Sequence, residues 1–264
     1  MDSERRSPLR TLAVYTVSTY AVSWSCWGLR AALSDQSPLV RTGLFVLGGL
    51  GPFVVAVFLT HRSERRVRAW AADVFRFRLP GRYYAAALVL PAGVALVAGV
   101  VHRVVFGGTL TLETLPATAE YPLFLGFVVL FGGGLEEPGW RGFLLARLQE
   151  RYSALVTALA IGVVWAGWHL PLFVLPDTIQ SDMVLWLYVV QMVSMSVVLT
   201  WLTNAVGGSG VPAVLLHAGG NAEHRDLGSD PFQRRRHVRR RAVAADEQDQ
   251  VHRVLAADER LDGS

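Results

Sequence analysis

Long apolar stretches separated by short polar segments fill most of the chain before residue 223. A membrane-spanning helix needs about 20 consecutive, mostly apolar residues. Seven stretches approach that length, and they occupy residues 12–33, 43–60, 83–101, 121–147, 157–175, 183–202 and 206–222. The fourth and the seventh are the least regular. The pattern therefore predicts an all-α protein, a polytopic transmembrane helical bundle of about seven spans.

The placement of arginine predicts how these spans are oriented, because cytoplasmic loops carry an excess of Lys and Arg. Residues 61–82, between the second and third stretches, contain seven arginines, and the N-terminus contains Arg5, Arg6 and Arg10. Both segments are expected in the cytoplasm, and the more acidic loop 102–120 is expected outside. We therefore predict a multi-pass protein of a bacterial-type plasma membrane with a cytoplasmic N-terminus, whose first span is retained and not cleaved as a signal peptide.

The C-terminal segment departs from this pattern. The apolar sequence stops after Ala222, and a polar, arginine-rich tail follows. Seven spans would place that tail outside, against the arginine rule. Either the seventh stretch is re-entrant, or an eighth span is missing, or a shifted reading frame has produced the tail. We expect residues 1–223 to form the membrane-embedded domain and residues 224–264 to be disordered or aberrant.

Composition supports a membrane protein, with 52% hydrophobic and only 17% charged residues. All 25 basic residues are arginine, and the net charge is +4. A basic balance could favour nucleic acid, but these arginines flank apolar spans, so membrane lipids are the expected partner and nucleic acid is not. Cys26 is the single cysteine, which excludes a disulfide or a cysteine-based zinc site within one chain.

Two adjacent glutamates interrupt the fourth apolar stretch, in the sequence GGGLEEPGWRGF. Charges near the middle of a span usually face a protein interior or a wet cavity. Glu137 and Arg141 are four residues apart, so on a helix they share a face and can pair. Glu136 points about 100° away, which leaves it free to face a cavity as a general base. Alternatively the helix ends at Gly134, because the glycines and Pro138 can break it, and the charges then form a solvated loop.

Three further polar residues lie in later stretches. His169 is near the middle of the fifth, with Trp165 one turn earlier on the same face. His217 and Asn221 are at i and i+4, and the small residues 218–220 between them permit close helix packing. Each feature alone also fits a structural role, as a buried histidine or a polar contact between helices. Together with the glutamates and the arginine they predict one buried polar site within the membrane.

Such a site supports two kinds of chemistry. A glutamate can take a proton from water while histidine and asparagine donors stabilise an oxyanion. Alternatively a divalent metal such as zinc could be held by carboxylate and imidazole, with Glu136, His169 and His217 as the candidate ligands. The residue pattern leaves both open. The sequence contains no HExxH motif, nucleophile elbow or phosphate loop, so the soluble hydrolase templates do not apply.

The three motifs resemble those of the CPBP family of intramembrane endopeptidases, which includes CAAX prenyl proteases and bacteriocin-processing (Abi) proteins. The family pattern consists of EExxxR, then FxxxH, then a histidine followed four residues later by asparagine. Order and spacing agree, and the likeness covers residues 83–222. Tryptophan stands where the family has phenylalanine. In chain order the matched positions are Glu136, Glu137, Arg141, Trp165, His169, His217 and Asn221.

The resemblance implies proteolysis of a peptide or lipoprotein substrate, as eukaryotic members remove the last three residues of prenylated CAAX proteins. It assigns roles to three pairs: water activation to Glu136 and His169, oxyanion stabilisation to His217 and Asn221, and support of Glu136 to Glu137 with Arg141. The family has been described as metalloendopeptidases, and a metal-independent glutamate mechanism is also argued, so the metal stays open. The bulkier Trp165 is expected to be a wall residue that narrows the pocket.

Two non-enzymatic functions remain alternatives. Buried ionisable residues also suit a proton-linked transporter, although the sequence shows no repeat pair or matched broken helices. An immunity protein or scaffold would leave unexplained why polar residues recur at i and i+4 on separate helices. The sequence favours the peptidase, and it predicts neither the exact substrate nor the oligomeric state.

Overall fold

The structure, a computed structural model, describes residues 8–33, 35–63, 65–107 and 121–227, and every regular element in these ranges is a helix. The chain separates into two units, Met1–His224 and Arg225–Ser264, and only the first is described below. Three parts of the sequence predictions lie outside the described residues. They concern Arg5 and Arg6, the acidic loop 108–120, and the tail from residue 228. The prediction of an all-α protein is confirmed.

The helices follow one another with short connections. They are α1 Pro8–Ala32, α2 Pro38–Gly49, α3 Gly51–His61, α4 Val67–Val74, α5 Gly81–Phe106, α6 Tyr121–Phe131, α7 Glu137–Gly139, α8 Ala146–Leu148, α9 Ala154–Trp168, α10 Leu185–Ala205 and α11 Val211–Leu227. Short 3₁₀ turns form at Gly134–Glu136, Leu170–Phe173 and Ile179–Asp182, and a π-helical turn forms at Trp140–Leu145. Residues 134–148 make one uninterrupted helical run of mixed pitch, here called the composite helix.

The apolar helices fit a polytopic bundle. Among the described residues, Gly81–Val105 and Leu185–Ala205 are long and apolar enough to cross a membrane, and the bent pair α2 and α3 would make a third span. The helix α9 is apolar but shorter. The count of seven spans stays a prediction.

The second apolar stretch forms two helices bent by 48° instead of one. Pro52 lies in the first turn of α3, and its ring nitrogen cannot donate to a carbonyl of α2. A Cβ on Gly51 would lie 2.0 Å from the Oγ of Ser23, so the bend also brings α3 against α1. The sequence did not predict this bend, although Pro52 marks it.

The arginine-rich segment contains a helix that the sequence did not predict, α4. Its face buries Trp70 and Val74, while its one arginine, Arg68, stays exposed. The indole Nε1 of Trp70 donates to the carbonyl of Gly142 at 3.0 Å. Because a Cβ on Gly142 would lie 2.6 Å from Val74, α4 lies directly on the composite helix and covers it.

Large aromatic side chains fill the core beside the composite helix. Tyr15 of α1 stacks on Phe143 with ring centroids 5.2 Å apart and meets Trp140 edge-on at 5.3 Å. The hydroxyl of Tyr15 donates to the carbonyl of Pro52 at 3.1 Å. Trp168 at the end of α9 also meets Trp140 edge-on, at 6.1 Å. These contacts fix the composite helix between α1, α3 and α9.

Candidate active site

Glycines break the fourth apolar stretch between α6 and the composite helix. Gly133 has a φ of 111°, in the left-handed region that side chains with a Cβ disfavour. One helix over residues 121–147 was expected, and that expectation is wrong because α6 ends at Phe131 and the left-handed Gly133 separates it from the next helical turn. The alternative of a solvated loop is wrong too, since the chain resumes as a helix at once. Glu136 and Glu137 are 6% and 0% exposed.

Glu137 is the anion of a buried ion pair. Its carboxylate lies 3.1 Å from Nη1 of Arg141 and 2.9 Å from Nδ1 of His217. A carboxylate can only accept a hydrogen bond, so Nδ1 of His217 carries a proton and donates it. The i, i+4 pairing of Glu137 with Arg141, predicted from spacing, is present. The contact with His217 was not predicted, because the two residues are 80 positions apart.

Glu136 has a different partner. The indole Nε1 of Trp165 donates to Oε2 of Glu136 at 2.7 Å, and Trp165 is fully buried. The neighbouring glutamates therefore face different groups, one a cation and one a neutral N–H. This division follows from the turn of about 100° between successive residues of a helix.

The sequence suggested that His169 lies in the middle of a helix. In the structure it is the C-cap of α9. Pro171 follows two positions later and starts a 3₁₀ turn with Leu170, because proline cannot continue the hydrogen-bond ladder of α9. Nδ1 of His169 lies 2.8 Å from the carbonyl oxygen of Trp165. Since a carbonyl only accepts, Nδ1 bears the proton, and Nε2 of the neutral ring has a free lone pair.

The helix α11 brings His217 and Asn221 to the break after α6. Nδ2 of Asn221 donates to the carbonyl of Gly132 at 2.6 Å. A Cβ placed on Gly133 would lie 2.7 Å from Nδ2 of Asn221 and 3.0 Å from Nε2 of His217. The two nitrogens thus converge on the side of Gly133 where a side chain is absent. The shared face predicted from i, i+4 spacing is present.

The small residues of α11 permit this approach. A Cβ on Gly219 would lie 3.3 Å from Pro91 of α5, and one on Gly220 would lie 3.4 Å from Met195 of α10. Ala218, which precedes these two glycines, is fully buried. Larger residues here would push α11 away from both neighbours, so close packing is what carries His217 and Asn221 to the glutamates.

The three candidate metal ligands use some of their polar atoms in contacts with other protein groups. In the part of the chain that the structure describes, no three His, Cys, Asp or Glu side chains are placed to hold a metal ion. Nδ1 of His169 and Nδ1 of His217 each face another protein group, and Oε2 of Glu136 accepts the bond from Trp165. These contacts use Nδ1 of each ring and Oε2 of Glu136. A metal-ligating imidazole commonly donates its other N–H to a carboxylate or a carbonyl, so Nε2 of both rings and Oε1 of Glu136 are the atoms that would bind a metal.

Trp165 is the residue whose importance the sequence did not reveal. Its ring meets that of His217 edge-on at a centroid distance of 5.0 Å, and the guanidinium of Arg141 lies over it at 4.8 Å. Its side chain binds Glu136 and its carbonyl binds His169. From the sequence we expected Trp165 only to line and narrow the pocket. Its indole N–H, a donor that phenylalanine lacks, is the feature that could have predicted the hydrogen bond to Glu136.

Two comparisons with known proteins bear on this site. The family model described as "Type II CAAX prenyl endopeptidase Rce1-like" matches residues 118–222, a range that contains all of the polar residues assembled here. The chain is also similar to CAAX prenyl protease 2 of Methanococcus maripaludis, with 23% identity over 221 residues that cover 77% of this chain and 80% of the relative.

Proposed function

We propose that this chain, which is similar to CAAX prenyl endopeptidases, is an intramembrane endopeptidase of the CPBP family and hydrolyses peptide bonds with a water molecule activated by Glu136. The observation that carries the proposal is the convergence of Glu136, His169 and His217 around one buried indole. Burying three such polar groups on separate helices of an apolar bundle costs free energy. A function that needs them together would explain why the protein contains them. The proposed function is peptide hydrolysis.

In the proposed mechanism Glu136 is the general base. Its carboxylate takes a proton from the attacking water, and the hydroxide forms a bond to the carbonyl carbon of the peptide. His169 orients that water, because its Nδ1–H is fixed by the carbonyl of Trp165 and Nε2 can accept a hydrogen bond. Glu136 then delivers the proton to the leaving nitrogen as the C–N bond breaks.

His217 and Asn221 are proposed to stabilise the oxyanion of the tetrahedral intermediate. Asn221 uses one amide N–H for Gly132, and its second N–H remains for the oxyanion. Nδ1–H of His217 binds Glu137, so a doubly protonated ring presents Nε2–H, with the carboxylate compensating its charge. Donors fixed in advance at an oxyanion contribute strongly to catalysis.

Glu137 and Arg141 support this arrangement without touching the substrate. Arg141 neutralises Glu137, and Glu137 in turn holds the ring of His217. A buried carboxylate between two donors keeps both in fixed orientations. No step of this mechanism passes through a metal ion.

For the substrate we propose the C-terminal end of a lipid-modified protein or peptide, reaching the site from the membrane or the cytosol. The family description and the relative's name both refer to CAAX prenyl substrates. The exposed apolar faces of α5 and α10 are suited to contact lipid. The bilayer is thus the expected partner of the protein, and the lipid group of the substrate would be held in it.

Purified full-length protein in proteoliposomes tests this function. A farnesylated CAAX peptide, the same peptide without the lipid, and both with added chelator are incubated with wild type and with Glu136→Gln. We expect wild type to release the C-terminal tripeptide from the lipidated peptide, and Glu136→Gln to be at least about 100-fold slower, because general bases contribute that much or more. Cleavage by Glu136→Gln at the wild-type rate would contradict the assignment. Proton or solute flux without cleavage would indicate a transporter.

A further inference from the structure

We propose that Trp165 is a positioning residue whose indole N–H holds the carboxylate of Glu136 in the orientation that receives a proton from water. The inference rests on the proposed peptidase function. It assigns to Trp165 a role that a wall residue does not have, and it predicts that a phenyl ring of similar shape cannot replace the indole without loss of rate.

The contact between Trp165 and Glu136 is short and buried. Nε1 of Trp165 lies 2.7 Å from Oε2 of Glu136, and the two side chains are 0% and 6% exposed. A hydrogen bond to a carboxylate is shorter and stronger than one between neutral groups. The bond to Oε2 restricts how the carboxylate can turn, and in this proposal Oε1 is the oxygen that accepts the proton.

The indole itself has little freedom to move. Arg141 lies over one face of the ring at 4.8 Å, and His217 meets the ring at 5.0 Å. The position of Nε1 is therefore set by groups that belong to the ion pair with Glu137. Trp165 thus links the oxyanion side of the site, which contains His217, to the base, Glu136.

The backbone carbonyl of Trp165 binds a different residue, His169. This carbonyl accepts the hydrogen bond from Nδ1 of His169, and a side-chain substitution leaves that carbonyl in place. Trp165→Phe therefore removes the N–H donor and part of the ring while retaining the group that orients His169. The substitution also restores the residue that the family pattern has at this position, so folding is expected to tolerate it.

Trp168 offers a matched control in the same helix. It is also buried, at 1% exposure, and within the described residues its Nε1 has no hydrogen-bond partner. Trp168→Phe thus removes the same number of atoms from the same core without removing a bond to Glu136. Both substitutions shrink a buried ring beside the site, since Trp168 meets His169 edge-on at 4.6 Å, and only Trp165→Phe also removes a hydrogen bond to Glu136.

The experiment measures kcat and KM for cleavage of the lipidated peptide, together with the unfolding temperature in detergent. A bond to a charged group contributes enough that Trp165→Phe should lower kcat by about tenfold or more, with KM within about twofold of wild type. Trp168→Phe should keep kcat within about threefold, and both variants should unfold at similar temperatures. Equal kcat values for the two variants, or a higher kcat for Trp165→Phe, would overturn the inference.

A measurement without turnover separates this inference from the proposed function. In a ¹⁵N–¹H spectrum the indole signal of Trp165 is assigned by its absence in Trp165→Phe. In Glu136→Gln that signal should move upfield, because a neutral amide accepts a weaker bond than a carboxylate. An unmoved signal contradicts the contact. If the signal moves but wild type and Glu136→Gln both release no peptide, the peptidase function fails and the catalytic role of Trp165 fails with it.

Discussion

Two adjacent glutamates with different neighbours define this molecule at the scale of single residues. Glu137 faces Arg141 and His217, whereas Glu136 faces only a neutral donor among the side-chain contacts described above. Spacing along a helix predicted the pair of Glu137 and Arg141. It could not predict His217 as the third member, because a contact across 80 residues depends on how α11 packs.

Glu137→Gln is expected to destabilise the protein more than Glu136→Gln. Removing the charge of Glu137 leaves Arg141 as an uncompensated buried cation, and breaking such a pair costs about 3 kcal/mol or more. Glu136→Gln breaks no direct ion pair, because the hydrogen-bond donor that contacts Glu136, Trp165, is neutral. Thermal unfolding in detergent compares the two. If Glu136→Gln proves the less stable variant, the division of roles between the glutamates is wrong.

Gly133→Ala is expected to abolish activity. The new Cβ would approach His217 and Asn221 within 3.0 Å, and the φ of 111° is itself strained for alanine. Peptide cleavage should fall by about 100-fold or more, since displaced oxyanion donors cost that much.

Gly126→Ala is the control for this substitution. It lies in α6, five residues before its end, and a Cβ there meets nothing within 4 Å. Its activity should match wild type, because alanine favours a helix more than glycine does. Full activity of Gly133→Ala would show that the space beside Gly133 is not part of the site.

At the scale of helices, the composite helix is the element that the sequence could not predict. Its glycines and Pro138 indicated a break, and a break is present, but the chain resumes as a helix with 3₁₀, α and π turns in succession. The π turn Trp140–Leu145 is buried at every position, and such turns often occur at functional sites. Its pitch depends on contacts with α1, α4 and α9, which no local pattern contains.

The packing of α9 against α10 gives a second test at this scale. A Cβ on Gly162 would lie 2.7 Å from the Cα of Val193, and Oγ of Ser196 donates to the carbonyl of Ala158 at 2.7 Å. Gly162→Ala should therefore lower the free energy of unfolding by about 1–3 kcal/mol through overpacking.

Gly93→Ala in α5 is the matched variant, because a Cβ there meets nothing within 4 Å. It should leave stability unchanged or slightly higher. The comparison is made by unfolding both variants in the same detergent. Equal stability of the two would mean that α9 and α10 can separate without cost.

At the scale of the whole molecule, contacts at the two ends agree with the alternating direction of the predicted spans. At one end, Arg76 beside α4 donates to the carbonyl of Val206 at 2.6 Å. At the other, Arg30 donates to the carbonyl of Pro176 at 3.2 Å, and Arg41 pairs with Asp177 at 3.0 Å. The sequence predicted neither these contacts nor the bend between α2 and α3.

The orientation in the membrane stays a prediction, and cysteine labelling tests it. In a Cys26→Ser background, Arg68→Cys places a thiol on exposed α4, and Gln36→Cys places one in the exposed turn after α1. We expect an impermeant maleimide to label Arg68→Cys only in inverted vesicles and Gln36→Cys only in right-side-out vesicles, because arginine-rich segments face the cytoplasm. The reverse pattern would invert the topology.

The bond between Glu137 and His217 also determines when the site comes into existence. Both glutamates are translated before α9, α10 and α11, and His217 emerges from the ribosome 80 residues after Glu137. Until α11 inserts, Glu137 lacks one donor and the carbonyl of Gly132 lacks Asn221. A nascent chain that has not yet made α11 therefore contains the proposed base, Glu136, without the proposed oxyanion donors, His217 and Asn221. In the proposed mechanism the site is therefore complete only after α11 has been synthesised and packed.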